Sequence, residues 1–381
     1  MVKRVGVIDI GSGTVTLAIF EAGGAGFLDR VDQEGNSLRL IEKIDERGYL
    51  SAGAVRSLLA TVAGYIKAAN ARGVERIEVV ATSAMRDARN GAELVARINA
   101  PPLVNARLVS GEEEGRLAAH TAICTLPLRD GVVLDLGGGS MQLVWVVGRR
   151  VVETASLPLG ALRLHEAFLK GADPVPADSL VALRHHVLEH LRTVPWFKNI
   201  GGRLVAVGGS ARSLGKMDRR ARGAAAGHGH GYRLDTEAVL DRYERLSRMT
   251  SAERAPLPGL PEHRTDTIVA ASATLWTALR IGGFGQMYLS TYGIREGVAF
   301  RALYGERPIA DPGGAGIRGR LGEHPLRRPP AVPGLTPRER RLFAAAMDHP
   351  PEWLLDKPIQ GFWQDEVLRV AAAISGSRPA S

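Results

Sequence analysis

Two stretches of this chain carry the same chemical pattern. Val7-Ile8-Asp9-Ile10-Gly11-Ser12-Gly13-Thr14-Val15-Thr16-Leu17 and Val133-Leu134-Asp135-Leu136-Gly137-Gly138-Gly139-Ser140-Met141-Gln142-Leu143 each run an apolar strand into an acid, turn through small residues, meet a hydroxyl and return as a second apolar strand. A glycine turn after a strand lets backbone N–H groups converge on an anion, and the hydroxyl adds a donor. Gly11, Ser12, Gly13 and Thr14 in one copy, and Gly137, Gly138, Gly139 and Ser140 in the other, are therefore candidate phosphate contacts. Either copy alone reads more readily as a tight hairpin turn; two copies with the acid at the same offset favour phosphate loops. Asp9 and Asp135, at the strand ends, offer hard oxygen ligands for Mg²⁺, with an Asx turn as the local alternative.

Three further groups belong with them. Val207-Gly208-Gly209-Ser210-Ala211-Arg212 is again a strand, two glycines, a hydroxyl and a helix start, so Gly209 and Ser210 form a third candidate phosphate contact. Ser210 serves equally as a helix N-cap. Arg86, in Thr82-Ser83-Ala84-Met85-Arg86, follows an apolar strand and is placed either to clamp a phosphate oxygen or to lie on a helix surface. In Ser110-Gly111-Glu112-Glu113-Glu114-Gly115-Arg116, Ser110 is the expected N-cap, Glu113 falls at the capping-box position and Glu112 complements the helix dipole. Glu114 lies beyond the box on the helix side of Leu117, Ala118 and Thr121. An acid facing a cleft there, its basicity raised by neighbouring negative charge, is a candidate base for a water nucleophile.

The elements that must position these groups follow from periodicity. Asp9 and Asp135 lie 126 positions apart, too far for a solenoid repeat, which indicates a duplicated half-molecule. Residues 3–32 read as three short strands, 51–72 as a helix stopped by Gly73, 77–81 and 104–109 as strands, and 110–125 as a helix. Hairpins over 132–156, helices near 161–169 and 177–193, and a strand at 204–207 repeat the order; helices over 266–281 and 294–304 follow. The alternation predicts an α/β fold of two related domains, residues 1–125 and 126–305, with the ligand in the cleft between them. Residues 306–381 read as a Pro/Gly/Arg-rich linker and a short helical extension, with helices at 342–347 and 367–374. Residues 223–231 read as a solvated surface loop, whose His228 and His230 leave a metal tract as the other reading.

The bulk composition narrows the class. The 381 residues carry a net charge of +9, and 42 of the 49 cations are arginine. That balance favours polyanionic ligands without specifying one, and no nucleic-acid motif accompanies it. A lone cysteine, Cys124, excludes an internal disulfide framework and reads as a buried filler. With no secretory leader pattern and no apolar run of the ~20 residues needed to span a bilayer, the expectation is a cytoplasmic protein without membrane contact. Oligomeric state, a homodimer included, is open at this level.

These residues together resemble the exopolyphosphatase and guanosine pentaphosphate phosphohydrolase family of the actin-like ATPase superfamily. The resemblance covers roughly residues 3–305 and rests on Asp9-Ile10-Gly11-Ser12, Ala81-Thr82-Ser83-Ala84-Met85-Arg86, the Ser110–Arg116 stretch, Asp135-Leu136-Gly137-Gly138-Gly139-Ser140, Arg264-Thr265-Asp266 and Gly293-Ile294-Arg295-Glu296-Gly297. It implies two ribonuclease-H-like domains and Mg²⁺-dependent removal of a terminal phosphate from inorganic polyphosphate or guanosine pentaphosphate (pppGpp) by water. Glu114 then matches the family's catalytic base and Asp135 its metal-linked acid, while Arg86, the two glycine loops and Gly209-Ser210 match phosphate contacts. Charge neutralisation and positioning of the water would carry such chemistry.

Three departures accompany the match. Gly13-Thr14 and Thr16 stand where the family has Asn-Ser and a basic residue. Met141-Gln142 replaces Thr-Glu, so Gln142 enters the catalytic set as a neutral amide. The His-Asp metal motif of the longer members' C-terminal helical domain is absent from residues 306–381. Two other classes compete with a hydrolase: a catalytically weak regulator that binds polyphosphate or (p)ppGpp, and an ATP-dependent kinase of the same superfamily. The arginines 318, 320, 327, 328, 338, 340 and 341 either form a solvated tail, the reading favoured here, or help hold long polyphosphate.

Overall fold

A computed structural model describes residues 3–23, 26–223, 228–306, 309–310, 312–313, 315–316, 332–347, 349, 353–356 and 358–377. Arg318, Arg320, Arg327 and Arg328 of the basic stretch lie outside these residues. In the first half, β1 (Arg4–Ile10), β2 (Thr14–Ala22) and β3 (Leu28–Ser37) form an antiparallel meander. β4 (Arg76–Ala81) and β5 (Val104–Leu108) then extend the sheet in parallel, giving the order β3-β2-β1-β4-β5. The second half repeats this with β6 (Gly131–Leu136), β7 (Met141–Val147), β8 (Arg150–Leu157), β9 (Leu204–Val207) and, after the added strand β10 (Tyr232–Asp235), β11 (Gln286–Leu289). Its order is β10-β11-β9-β6-β7-β8, with β6, β9 and β11 parallel. The duplication extends to register: Asp9 pairs with Thr16 and Asp135 with Gln142.

Helices supply the crossovers that parallel strands require. The first half holds α1 (Ala52–Ala71), α2 (Ser83–Asp87), α3 (Gly91–Ile98) and α4 (Gly111–Thr125); the second holds α5 (Ala161–Leu164), α6 (Ala177–Arg192), α7 (Gly209–Ala221), α8 (Thr236–Arg248), α9 (Ser251–Arg254), α10 (Ile268–Gly282) and α11 (Ile294–Tyr304). Local signals set their ends. Ser51 Oγ accepts from Ala54 N–H at 3.3 Å and Ser110 Oγ from Glu113 N–H at 3.1 Å, while α10 stops where Gly283 turns left-handed at φ 73°. Glu113 departs from the capping-box expectation: its carboxylate pairs with Arg107 and Arg301, because ion pairing on the helix surface competes with the cap. β10, α8 and β11 had no clear sequence signal, being two four-residue strands and a helix rich in charge.

Side-chain alternation decides where the acids point. Along β1, Ile8 and Ile10 pack with Leu58 and Val62 of α1, whereas Val5 and Val7 pack with Leu117 of α4 and Val298 and Phe300 of α11. Strand parity therefore turns Asp9 to the side of α4 and α11. In β6, Val133 packs with Ala118, Ala119 and Ala122 of α4, so Asp135 also faces α4. α4 packs on β6, β7 and β8 and on α11, its Leu117 clusters with Val5 and Val7 of β1, and α11, which follows the second sheet in sequence, returns to pack on β1.

The extension is more ordered than a tail. α12 (Pro337–Ala346), α13 (Trp353–Asp356) and α14 (Gln364–Ser377) enclose a small core of Leu342, Phe343, Leu354, Phe362, Val367 and Val370. It docks on both halves: Gly361 N–H donates to the Thr125 carbonyl at 2.6 Å, the Gln360 amide to the Gly26 carbonyl at 3.1 Å, and Trp363 lies 4.4 Å from the Tyr288 ring. Arg338 corrects the solvated-tail expectation, since it covers the Phe362 ring at 4.5 Å and pairs with Glu366 at 3.6 Å. His230 also departs from the surface-loop reading, although residues 224–227 of that loop lie outside the described set. It is buried, contacts the Thr125 carbonyl through Nε2 at 3.3 Å and accepts from Thr291 N–H through Nδ1 at 3.2 Å. Burial lowers its pKa to about 4, holding it neutral as a structural spacer. Cys124 is buried, as expected of a filler.

Candidate functional site

The two glycine turns close identically: Gly11 N–H donates to the Thr14 carbonyl and Gly137 N–H to the Ser140 carbonyl, each at 3.0 Å. Among the described residues, the amides of Ser12, Gly13, Gly138 and Gly139 have no protein acceptor and remain available to an anion. The turns face one another closely. A Cβ on Gly138 would lie 3.4 Å from Gly13 N, and one on Gly139 would collide with the hydroxyls of Ser12 and Ser83, so glycine is required for the approach. Ser12 Oγ is buried without a partner, an orphaned donor aimed at this gap. Ser140 Oγ accepts from the Gln142 amide at 2.8 Å and lies 3.4 Å from Arg86 Nη2, which leaves its proton for a ligand.

One cleft is lined by Asp9, Gly11, Ser12, Gly13, Thr14, Glu114, Asp135, Gly137, Gly138, Gly139, Ser140, Gly209 and Ser210, which gathers nearly every candidate site residue. Arg86 and Gln142 stand one layer back, behind Glu114 and Ser140. The third turn differs from expectation in one respect. Gly208, at φ 103°, is the N-cap of α7, and a Cβ there would collide with the Leu136 carbonyl, so Ser210 sits inside the first turn instead of capping it.

Glu114 is buried at the start of α4, between the two sheets. Arg86 Nη1 donates to its Oε2 at 2.9 Å and to the Val109 carbonyl at 2.9 Å, and the Gln142 amide lies 3.5 Å from the same oxygen. Burial raises the Glu114 pKa to about 7; Arg86 opposes the shift, and the charges of Asp135 and Asp9 add to it. Burial likewise lifts Asp9 and Asp135 to about 6 each, with Arg295 opposing both. Three carboxyls thus line one cleft with their ionisation disfavoured by burial.

The cleft is also lined by cations, and here the sequence reading missed residues. Arg39, Arg212, Arg264 and Arg295 all line the cleft. Arg264 lies against Gly209 so closely that any side chain there would displace it. Burial, with Arg295 and Arg264 nearby, lowers the Arg212 pKa to about 10. Arg264 and Arg295 fell inside recognised motifs, and Arg212 follows Gly208 by one helical turn, a spacing that marks a helix N-terminal anion site. Ion pairs beside the cleft that join the halves include Arg39 with Asp266 at 2.7 Å and Arg163 with Asp87. Arg163 Nε also donates to the Gly139 carbonyl at 2.7 Å, linking the second glycine turn to the helix that carries Arg86.

Paired sheets of this topology, with glycine turns opposed across a cleft, define an actin-like fold. The family model of the Ppx/GppA phosphatase family matches residues 18–306, and the chain belongs to that family. That family is one of phosphatases. Similar proteins include an uncharacterized protein of Streptomyces coelicolor, 32% identical over 79% of this chain and 90% of its own. Exopolyphosphatase 1 of Mycobacterium leprae is 29% identical over 80% of this chain and 90% of its own. The crystal structure of the Aquifex aeolicus Ppx/GppA family member matches at a TM-score of 0.70 and 27% identity, covering 81% of this chain and 99% of that one. Among the described residues, no helix is long and apolar enough to cross a membrane.

Proposed function

We propose that this chain hydrolyses the terminal phosphoanhydride of inorganic polyphosphate, with pppGpp as a second substrate of the same chemistry, and that Mg²⁺ is required. The observation that carries the reading is Glu114: a buried carboxyl with a pKa near 7, set between two glycine turns with free amides. The turns, the Ser12 and Ser140 hydroxyls and the cleft arginines hold the terminal phosphate. Ionised Glu114 accepts a proton from a water whose oxygen attacks the terminal phosphorus. The bridging P–O bond breaks, releasing orthophosphate and a chain shorter by one unit. Arg86 fixes the Glu114 carboxylate, and Gln142 orders Ser140 and Ser156 by donating to them at 2.8 and 3.1 Å.

Asp9 and Asp135 fit a metal role. Neither carboxylate has an ion pair within 4 Å among the described residues, and both are raised by burial. No three His, Cys, Asp or Glu side chains converge there among the described residues. This suits an ion that takes one or two carboxylates and completes its shell with water and substrate phosphates, as Mg²⁺ does. When bound, the ion would neutralise phosphate charge. A stability measurement tests this without turnover. The folded pKa values of Asp9, Asp135 and Glu114 lie above their ordinary values of 3.8, 3.8 and 4.5, so stability from these groups is complete below about pH 4. It is lost as pH rises through 6 to 7, where the carboxyls ionise in the fold. Mg²⁺ should therefore raise the melting temperature more at about pH 8 than at about pH 5, and the double variant Asp9→Asn, Asp135→Asn should lose that difference. Equal Mg²⁺ effects at both values, or an unchanged response in the variant, would remove the aspartates from the metal site.

A catalytically weak regulator is the second reading, favoured by one observation: Gln142 Oε1 is buried and unpartnered where the family carries an acid. Phosphate release from polyphosphate and from pppGpp, each with and without Mg²⁺, separates the readings. Enzyme-like turnover of either supports the hydrolase; tight binding of both with no release supports the regulator.

A further inference from the structure

The cleft does not end at the phosphate turns. It continues into a second arm, a cavity of about 810 Å³ that shares Asp9, Arg212, Arg264 and Arg295 with it and extends to Arg30, Lys216 and Pro358. Five cations line this arm against two acids, Asp9 and Asp29, and Asp9 faces the proposed metal position. Arg30 is matched by Glu296 at 3.3 Å, whereas Arg212, Lys216, Arg264 and Arg295 have no carboxylate within 4 Å among the described residues.

Arg212 and Lys216 stand one turn apart on α7, an i,i+4 pair of like charges that weakens an isolated helix. Burial lowers the Lys216 pKa, and the charges that add to the shift are all cationic: Arg212, Arg220, Arg219 and Arg264. A helix that concentrates unmatched cations on a cavity gains from an anion bound there. α7 also sets the spacing. It begins at the Gly209-Ser210 turn, and at 1.5 Å per residue Lys216 lies about 10 Å further along its axis. A linear phosphate chain whose end sits at the turn reaches that far within a few units. Pro358 of the extension contributes to the lining of this arm, so the loop before the last helix helps shape it.

We propose that this arm is a subsite for the interior phosphates of linear polyphosphate, and that Lys216 is its specificity-determining contact. The proposal rests on the hydrolase reading for its substrate but not for its test. Lys216→Gln should raise KM for long-chain polyphosphate on the order of tenfold, as expected for one lost charge-assisted contact, while KM for tripolyphosphate moves much less. Arg220→Gln, which removes a charge from the same helix outside the cavity lining, should leave the ratio of the two KM values as in the parent. The gap between parent and Lys216→Gln should narrow as salt is raised. An unchanged KM for long chains, an equal rise for tripolyphosphate, or the same effect from Arg220→Gln overturns the subsite. If the parent protein releases no phosphate, the hydrolase reading fails. The subsite is then decided by equilibrium binding of long-chain polyphosphate to the parent and to Lys216→Gln, where equal affinity rejects it and a loss near tenfold upholds it.

Discussion

Glu114→Gln lowers phosphate release from polyphosphate by roughly 10²–10⁴-fold, the range lost when a positioned general base is removed. The substitution keeps the volume and the hydrogen bond from Arg86, so polyphosphate still binds and the loss falls on kcat instead of KM. The parent's pH profile follows from the same group. Burial places the Glu114 pKa at about 7, and the base form accumulates as pH rises through that value, so kcat/KM climbs with pH and levels off above it. Turnover of Glu114→Gln within a few-fold of the parent, or a parent profile flat across this interval, would assign the base elsewhere.

Arg86→Gln carries the second large effect, expected at about 10²-fold or more in kcat/KM, because one guanidinium serves two sites. It anchors Glu114 through Nη1, and its Nη2 approaches Ser140 of the second glycine turn. Its charge is also the main influence opposing the burial shift of Glu114. Without it the carboxyl is held protonated to higher pH, so the rising limb of the kcat/KM profile moves to more alkaline values. Measuring the profile of Arg86→Gln separates the roles: a uniform loss with an unmoved limb means that Arg86 contacts phosphate only. Gln142→Glu places a second carboxyl beside Glu114 and shifts the limb in the same alkaline direction, by repulsion instead of by loss of a cation.

The parts of the site legible in the sequence are those that local rules encode. A glycine turn between two apolar strands announces itself wherever it occurs, and a serine three residues before an acid marks a helix start. Both glycine turns, α1 and α4 stand where periodicity placed them because each is stabilised by neighbours a few residues away. Local rules failed where longer-range contacts prevailed. Glu113 left its capping box for Arg107 and Arg301, Ser210 yielded the cap to a left-handed Gly208, and His230 was drawn from an expected surface loop into contact with α4.

By itself the sequence determined the α/β architecture with its repeated glycine turns and placed Glu114 on α4, since strand alternation and turn chemistry act over a few residues. Only the tertiary structure decided that Arg39, Arg212, Arg264 and Arg295 line one cleft, that Lys216 lines its continuation and that Pro358 of the C-terminal extension does so too. It also decided the chemistry of Glu114. Its side chain on an isolated helix would titrate as an ordinary carboxyl, and burial in the fold raises its pKa to about 7, with Asp135 and Asp9 adding to the shift.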